Sequence, residues 1–498
     1  MIEFLDPIID LINSAKPVWP QLIIILAALL VPAVHLISKR GKVTAAFALI
    51  MVVIAMAVTG LNVYEDFTGT VMNMFTFDAF SALMMVIFMI VAALVILISP
   101  SYSNTTKHHG EYYALLLVAV AGMMFVASAS DLIAIFVGVE LASISSYALV
   151  ALKKNDPRAP EAAVKYLIIG GISTALTLYG MSLVYGITGT TNLADIAAQF
   201  AAGDFTWAYA VAFITMLAGY GFKVAAVPFH MWAPDVYEGA ATPVSSFLAT
   251  GSKKMGIVVF MKIFLLIFIA ATTTPIPEMQ YFFAILAAIT MTVGNLVAIS
   301  QTNIKRMLAY SSIAQAGYLL IMFAVATEFS MTAGIFHMIT HVFMKGGAFI
   351  VVAALITVGV GEKITDYRGL GKRSPLVAFA MMLFLFSLAG IPPLAGFTSK
   401  FFLFASAIFV EGGAINLQWV WLVFLAIINS AISLYYYAKV IKAMYVDKPA
   451  ETAQNKLKIP LSHAVAIGIC VVAVILMGIF PGYVMEFCQN AAAAFWIL

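Results

Sequence analysis

The sequence predicts an all-α integral membrane protein of about 14 transmembrane helices, and three observations point there. Charged residues make up 10% of the chain and hydrophobic residues 63%, whereas a soluble domain carries roughly 25% charged residues to cover its surface. Apolar stretches of roughly 20 residues, the length that crosses a hydrocarbon core, recur from end to end of the 498 residues. The segments between them alternate between basic and acidic. A water-soluble enzyme is excluded. So is a disordered chain, because 13% aromatic residues are the opposite of a solvating composition.

The first six spans lie near 20–37, 43–63, 76–98, 112–129, 131–152 and 161–187. The other eight lie near 207–226, 243–271, 281–300, 306–326, 331–359, 375–409, 418–445 and 461–485. The twelfth is too long for one straight helix and holds Pro392-Pro393 in its middle, while the seventh runs into Pro228, Pro234 and Pro243. Proline removes a helix hydrogen bond and clashes with the preceding turn, so helices seven and twelve are expected to be broken. They lie five spans apart. A repeat of five spans places its second copy upside down, which predicts two inverted five-helix repeats, about 112–271 and about 281–445, within one polytopic membrane domain over 1–498.

Loops after odd-numbered spans carry the basic residues: Lys39, Arg40 and Lys42; Lys107; Lys153, Lys154 and Arg158; Lys305 and Arg306; Lys363, Arg368, Lys372 and Arg373; Lys448, Lys456 and Lys458. Loops after even-numbered spans hold only acids, such as Glu65, Asp66, Asp195, Asp204, Glu278, Glu328 and Glu411. The loop after span seven departs from this rule, with Asp235 and Glu238 on the basic side. By the positive-inside rule the basic loops are expected in the cytoplasm, with both termini on the other side of the cell membrane. Glu3, Asp6 and Asp10 stand where a signal peptide would have Lys or Arg, so no cleaved leader is expected.

Net charge is +3, too balanced for a nucleic-acid partner; the lipid bilayer is the expected surrounding. Cys470 and Cys488 have no spacing suited to metal or redox work and read as buried small apolar residues. No Gly-rich phosphate loop and no cysteine cluster is present, so no cofactor, redox centre or metal is expected in this chain.

Ionisable groups inside the spans stand out, because a charge in hydrocarbon costs several kcal/mol. They are Asp78, Glu140, Lys165, Lys223, Lys253, Lys254, Lys262, Lys345 and Lys400, joined by His230, His337 and His341. Lys165, Lys262 and Asp78 have two readings, a buried role or a snorkel to the headgroups. Glu140, Lys223, Lys253 and Lys400 read as facing an internal cavity. Nearly all are lysines, with one mid-span carboxylate. Low dielectric disfavours a charged amine and a nearby carboxylate favours it, so a lysine so poised takes and gives a proton near neutral pH. A sodium site would need several oxygen ligands together. His337, His341 and Lys345 recur at i, i+4 and i+8 on one face of span eleven. The two histidines have a metal-pair spacing but lack the further ligands of a zinc site, and a hydrated proton-relay face is the better reading. Ser311, Ser312 and Gln315 on span ten suit either relay waters or helix packing.

The segment GYGFKVAAVPFHMWAPDVYEGAATPVSSFLAT (219–250) resembles the seventh-span signature of the proton-translocating antiporter-like family. That family comprises three subunits of respiratory complex I and the large subunits of multi-subunit sodium/proton antiporters. The PDVYEGAATPV variant resembles the N-type subunit of complex I. So do EAAVKYLIIGGISTALTLYGMSLVYGITGT (161–190), NIKRMLAYSSIAQAGY (303–318), DYRGLGKRSPLVA (366–378) and IPPLAGFTSKFFLF (391–404). The resemblance implies that Glu140 is the fifth-span glutamate, Lys223 the seventh-span lysine, Lys253 or its neighbour Lys254 the eighth-span lysine, and Lys400 the twelfth-span lysine of the outward half-channel. The face in HMITHVFMKGGAF (337–349) is similar to that of the other antiporter-like subunits. It leaves open an NADH-fed complex or an archaeal reduced-deazaflavin dehydrogenase.

The implied function is a proton-translocating membrane subunit with no redox centre of its own. Other membrane subunits would be its partners, and electron transfer to a quinone or phenazine would occur outside this chain. A subunit of a multi-subunit sodium/proton antiporter is the alternative. The expected relay is Glu140, Lys223, Lys253, His337, His341, Lys345 and Lys400, with Lys165, Lys254 and His230 as secondary candidates.

Overall fold

The computed structural model describes residues 14–101, 108–153, 156–202, 207–270, 277–409, 414–449 and 455–496. Glu3, Asp6, Asp10, Lys107, Lys154, Asp204 and Glu411 lie outside the described residues.

Twelve helices among the described residues are long and apolar enough to cross a membrane. They coincide with spans one to seven, nine to eleven, thirteen and fourteen of the sequence reading. The remaining two stretches are also helical but in pieces. Polar side chains fix several starts by capping exposed backbone N–H groups. Asp78 and Ser81 form a capping box at the start of span three (Ala79–Ile98). Asp131 caps span five (Leu132–Ala151), Asn303 caps span ten (Ile304–Leu319), and Thr327 with Ser330 caps span eleven (Glu328–Thr357). Asp78 is therefore a capping residue, accepting from the Ser81 N–H at 2.7 Å.

Both expected breaks are present. Span seven stops at Val224 (Trp207–Val224) and resumes as the short helix Trp232–Gly239, with a cis Val227-Pro228 bond between them. Span twelve divides into Pro375–Ala389 and Ala395–Ile408 around Gly390, whose φ of +90° few other residues adopt. Span eight departs from a uniform α-helix. It runs through Thr242–Phe247, a π-helical turn at Leu248–Ser252, an α-helical Lys253–Phe260 and a second π segment at Met261–Ala270. Span fourteen ends at Ile479, short of the expected 485. Pro481 lacks the N–H that would continue it, and a separate helix follows at Gly482–Trp496, packed through Phe495 on Phe80 with ring centroids 5.0 Å apart. The hairpin Gly69–Val71/Phe75–Phe77 and the helix Leu193–Ala202 were not among the expected elements.

Spans three, ten and eleven and the whole of the described span eight lie in the interior, whereas spans one, two, six, thirteen and fourteen present apolar side chains outward. Glycines allow backbone-to-backbone packing between neighbouring spans. A Cβ on Gly122 of span four would sit 2.7 Å from the Gly138 oxygen and the Ala142 nitrogen of span five. In the second half, a Cβ on Gly317 of span ten would sit 2.5 Å from the Met291 nitrogen of span nine. Both cysteines are buried, in span fourteen and in the helix after it.

Candidate functional site

Glu140 lies on span five, half-buried, and accepts a hydrogen bond from Thr174 of span six at 2.8 Å. Lys223, on the last turn before the break in span seven, is 4% exposed. Its ammonium faces the rings of Tyr147, Tyr166 and Phe222 at 5.1–5.4 Å. Glu140 and Lys223 line one cavity of about 10 Å³, roughly the room of a single water. Their contact is across this space, for no direct ion pair joins them among the described residues. Gly256 of span eight makes the site compact, since a Cβ there would meet Lys223 Cβ at 3.0 Å.

Lys253 and Lys254 follow directly on the π turn and are 3% and 2% exposed. π-Turns re-aim the residues beside them and recur at functional sites. Lys253 stands over the Tyr237 ring at 5.9 Å, and its charge reaches His230 in the break of span seven. From Lys253 and Lys254 the electrostatic neighbours are His341 and Lys345 on span eleven, and Lys254 also reaches His337. His337 Nδ1 meets Ser399 Oγ at 3.0 Å. Lys345 donates to Ser311 Oγ at 2.6 Å.

Lys400 completes the line at the break of span twelve. Its ammonium donates to the carbonyls of Leu388 and Ala389 at 2.9 and 3.4 Å and to Ser430 Oγ at 3.0 Å. It also stands over the Tyr318 ring at 4.5 Å. Gln315 donates to the same Leu388 carbonyl at 3.1 Å. The carbonyls released by the break are thus satisfied by an ammonium, an amide and a hydroxyl, as burial demands. A cavity of about 490 Å³ borders this break, with Lys400 and Ser430 in its wall. The break in span seven borders no such cavity among the described residues. The Trp232 indole donates to the Phe222 carbonyl at 2.8 Å, and Thr290 accepts from the Val227 N–H at 3.1 Å. Protein closes it. Because Lys400 folds back onto residue 389, its head group sits at the end of Pro375–Ala389, about 22 Å along that helix and not the full length of the span.

Several buried polar atoms along this line have no protein hydrogen-bond partner: Lys223 Nζ, Lys253 Nζ, His337 Nε2, both nitrogens of His341 and Gln315 Oε1. Each such atom in a dry interior costs about 1–3 kcal/mol.

Lys165 and Lys262 stand apart. Lys165 is on the basic face, 44% exposed and paired with Glu161 at 2.8 Å and Asp235 at 2.9 Å. Lys262 is 2% exposed and donates to the Ala129 carbonyl at 2.6 Å near the opposite, acidic face. The acids that broke the loop-charge rule belong to a cluster on the basic face. Arg306 pairs with Asp235 at 2.6 Å and Glu238 at 2.9 Å, and Arg158 pairs with Asp156 at 2.7 Å and Glu362 at 3.1 Å. Lys305 is no loop residue. Its side chain is wholly buried, donating to the Glu238 and Ala240 carbonyls at 2.6 and 2.8 Å and pairing with Glu362 at 3.4 Å. Burial pushes the Glu362 carboxyl up, but Lys305, Arg158 and Lys153 outweigh it and hold the group below its usual range. Hydrogen bonds from Arg158 hold Asp156 well below its own. None of these pairings was legible in the sequence beyond the misplaced signs of Asp235 and Glu238.

Residues 129–433 match the family described as NADH:quinone oxidoreductase/Mrp antiporter, TM. The chain is 46% identical over 383 residues to F(420)H(2) dehydrogenase subunit N of Methanosarcina mazei, covering 75% of each chain. It is 39% identical over 473 residues to NADH-quinone oxidoreductase subunit N of Bacillus anthracis, covering 93% of this chain and 92% of that one. Among solved structures it is similar to a chain of respiratory complex I from Thermus thermophilus, with 28% identity, a TM-score of 0.77 and coverage of 94% and 98%.

Proposed function

We propose, from the premise that this chain belongs to the NADH:quinone oxidoreductase/Mrp antiporter transmembrane family, that it is a proton-translocating membrane-arm subunit of a complex I type oxidoreductase. It passes protons through buried Glu, Lys and His side chains while partner subunits reduce a quinone or phenazine. The chain itself supplies no redox centre. Similarity to subunits N of NADH-quinone oxidoreductase and of F(420)H(2) dehydrogenase supports this assignment over a stand-alone antiporter.

The observation that carries it is one line of buried ionisable groups through the protein interior. The line starts at Glu140 and Lys223, continues through Lys253 and Lys254 to His341, Lys345 and His337, and ends at Lys400. In the two-repeat arrangement we infer, it passes from the first repeat, about 112–271, to the second, about 281–445. Glu140 sets the charge state of Lys223, and the Lys253–Lys254 pair links the halves, with His230 beside it. The unsatisfied nitrogens of this line are the places where proton-carrying water belongs. Lys165 serves the basic-face cluster. With the basic loops in the cytoplasm, as the positive-inside rule has it, uptake occurs beside span eight and release at Lys400, toward the side of the termini. The cell membrane is the site of action.

Glu140→Gln keeps the shape and the Thr174 hydrogen bond but removes the charge facing Lys223. Proton translocation by the assembled complex should fall by about 10²-fold, the lower end of what a lost proton-transfer group typically costs, with the complex still present in the membrane. Loss of assembly with normal translocation in the remaining complexes would make Glu140 structural.

A further inference from the structure

Resting on the proton-translocation reading, the question is how a proton passes from Lys345 to Lys400. The histidine face of span eleven is the obvious route, yet neither histidine hydrogen-bonds either lysine. His337 Nδ1 meets Ser399, while His337 Nε2 and both nitrogens of His341 have no protein hydrogen-bond partner. A different set of groups touches both lysines directly. Ser311 Oγ accepts from Lys345 and also meets the Tyr437 hydroxyl in a short contact. At the other end Ser430 Oγ accepts from Lys400 at 3.0 Å.

Tyr437, Ser433 and Ser430 all belong to span thirteen (Val420–Tyr445). Spaced at i, i+3 and i+7 from Ser430, they share one helix face. Ser433, Tyr437 and Ser311 are each 0% exposed; at rest the Ser433 hydroxyl donates to the Ser430 carbonyl at 2.6 Å and the Ser430 hydroxyl to the Ala389 carbonyl at 2.8 Å. Neighbouring positions on such a face have Cβ atoms about 5–6 Å apart, and the path between their hydroxyls is completed by water. Span ten supplies the facing wall. Gln315, one turn from Ser311, faces the Tyr437 hydroxyl and bonds the Leu388 carbonyl that also holds Lys400.

We propose that Ser311 on span ten and Tyr437, Ser433 and Ser430 on span thirteen form a hydroxyl seam that conducts protons between Lys345 and Lys400. The Lys345 ammonium gives a proton to Ser311 Oγ as the hydroxyl proton of Ser311 leaves for Tyr437 Oη. The Tyr437 proton leaves in turn along Ser433 and Ser430, through bridging water, to the neutral Lys400 amine. Each oxygen gains one proton and loses one, no electron moves, and rotation of the hydroxyls restores the starting state. The histidine face of span eleven then serves the step from the Lys253–Lys254 pair to Lys345.

The test uses the assembled membrane complex in sealed vesicles, with proton translocation and electron transfer followed together. Tyr437→Phe keeps the ring and deletes the hydroxyl. Ser311→Ala deletes the first hydroxyl, and Ser311→Thr retains it. Expected are translocation losses of about tenfold or more for Tyr437→Phe and Ser311→Ala, up to the ~10²-fold or more typical of a lost proton-transfer group, and recovery in Ser311→Thr. A lost solvent contact or altered packing would not be rescued by the hydroxyl alone. If Lys400→Ala stops translocation while Tyr437→Phe and Ser311→Ala translocate at the parent rate, the seam is wrong and the proton reading stands. If Lys400→Ala also translocates at the parent rate, both fall. Should Tyr437→Phe fail to assemble, the Ser311→Ala and Ser311→Thr pair decides.

Discussion

Lys223→Ala is expected to lower coupled proton translocation by about two orders of magnitude while leaving the amount of assembled complex close to that of the parent. The separation follows from what Lys223 touches. Its ammonium is buried among three rings and has no hydrogen-bond partner in the protein, so truncation breaks no polar contact. It removes the one cation that shares a cavity with Glu140. A carboxylate at that depth without a cation is held neutral or loses its function as a charge switch. Lys223→Met, which keeps most of the volume, should show the same loss, and this rules out packing as the cause. Parent-level translocation in either variant would remove Lys223 from the path.

Lys305→Ala should do the reverse, depleting the complex from the membrane and sparing the chemistry of whatever assembles. Lys305 ties the end of the broken span seven, through the Glu238 and Ala240 carbonyls, to Glu362 after span eleven. It therefore fastens one half of the protein to the other at the basic face. Removing one partner of a buried ion pair typically destabilises by about 3–5 kcal/mol, because the other partner stays buried and uncompensated. Glu362 keeps Arg158 at 3.1 Å, so the lower end of that range, about 3 kcal/mol, is expected. Thermal unfolding of detergent-extracted complex measures it. Lys305→Met combined with Glu362→Gln should recover part of the loss, since both charges are then gone. A Lys305→Ala complex as stable as the parent would show that the halves are held by apolar packing alone.

The contrast between these two lysines explains what was legible in the sequence. Spans were readable because length and hydropathy answer to the bilayer alone, and the breaks were readable because Pro228 and Pro392-Pro393 act locally. Lys223 and Lys400 stood out as charges in apolar runs. Lys305 did not, because it stands at a span start, where a snorkelling side chain is ordinary; only three-dimensional packing buries it. The π turn beside Lys253 leaves no mark in periodicity that a single sequence reveals. Ser430, Ser433 and Tyr437 did carry a signal, a polar i, i+3, i+7 face in an apolar span, but small hydroxyls pack between membrane helices so commonly that the pattern passes for packing. Pairs such as Glu140 with Thr174, or Arg306 with Asp235, join residues far apart in sequence, and nothing local announces them.

The proton-to-electron ratio of a Lys400→Ala complex tests most directly whether protons cross through the buried line that ends at Lys400. Sealed vesicles carrying the whole oxidoreductase would be given a pulse of electron donor, with external pH and acceptor reduction recorded together. Lys400 holds the carbonyls of the break and stands against Ser430, so its loss closes the last step and leaves electron transfer in the partner subunits able to proceed. A ratio reduced by this chain's share, at electron-transfer rates near those of the parent, is the predicted result. An unchanged ratio in fully assembled complexes would contradict it.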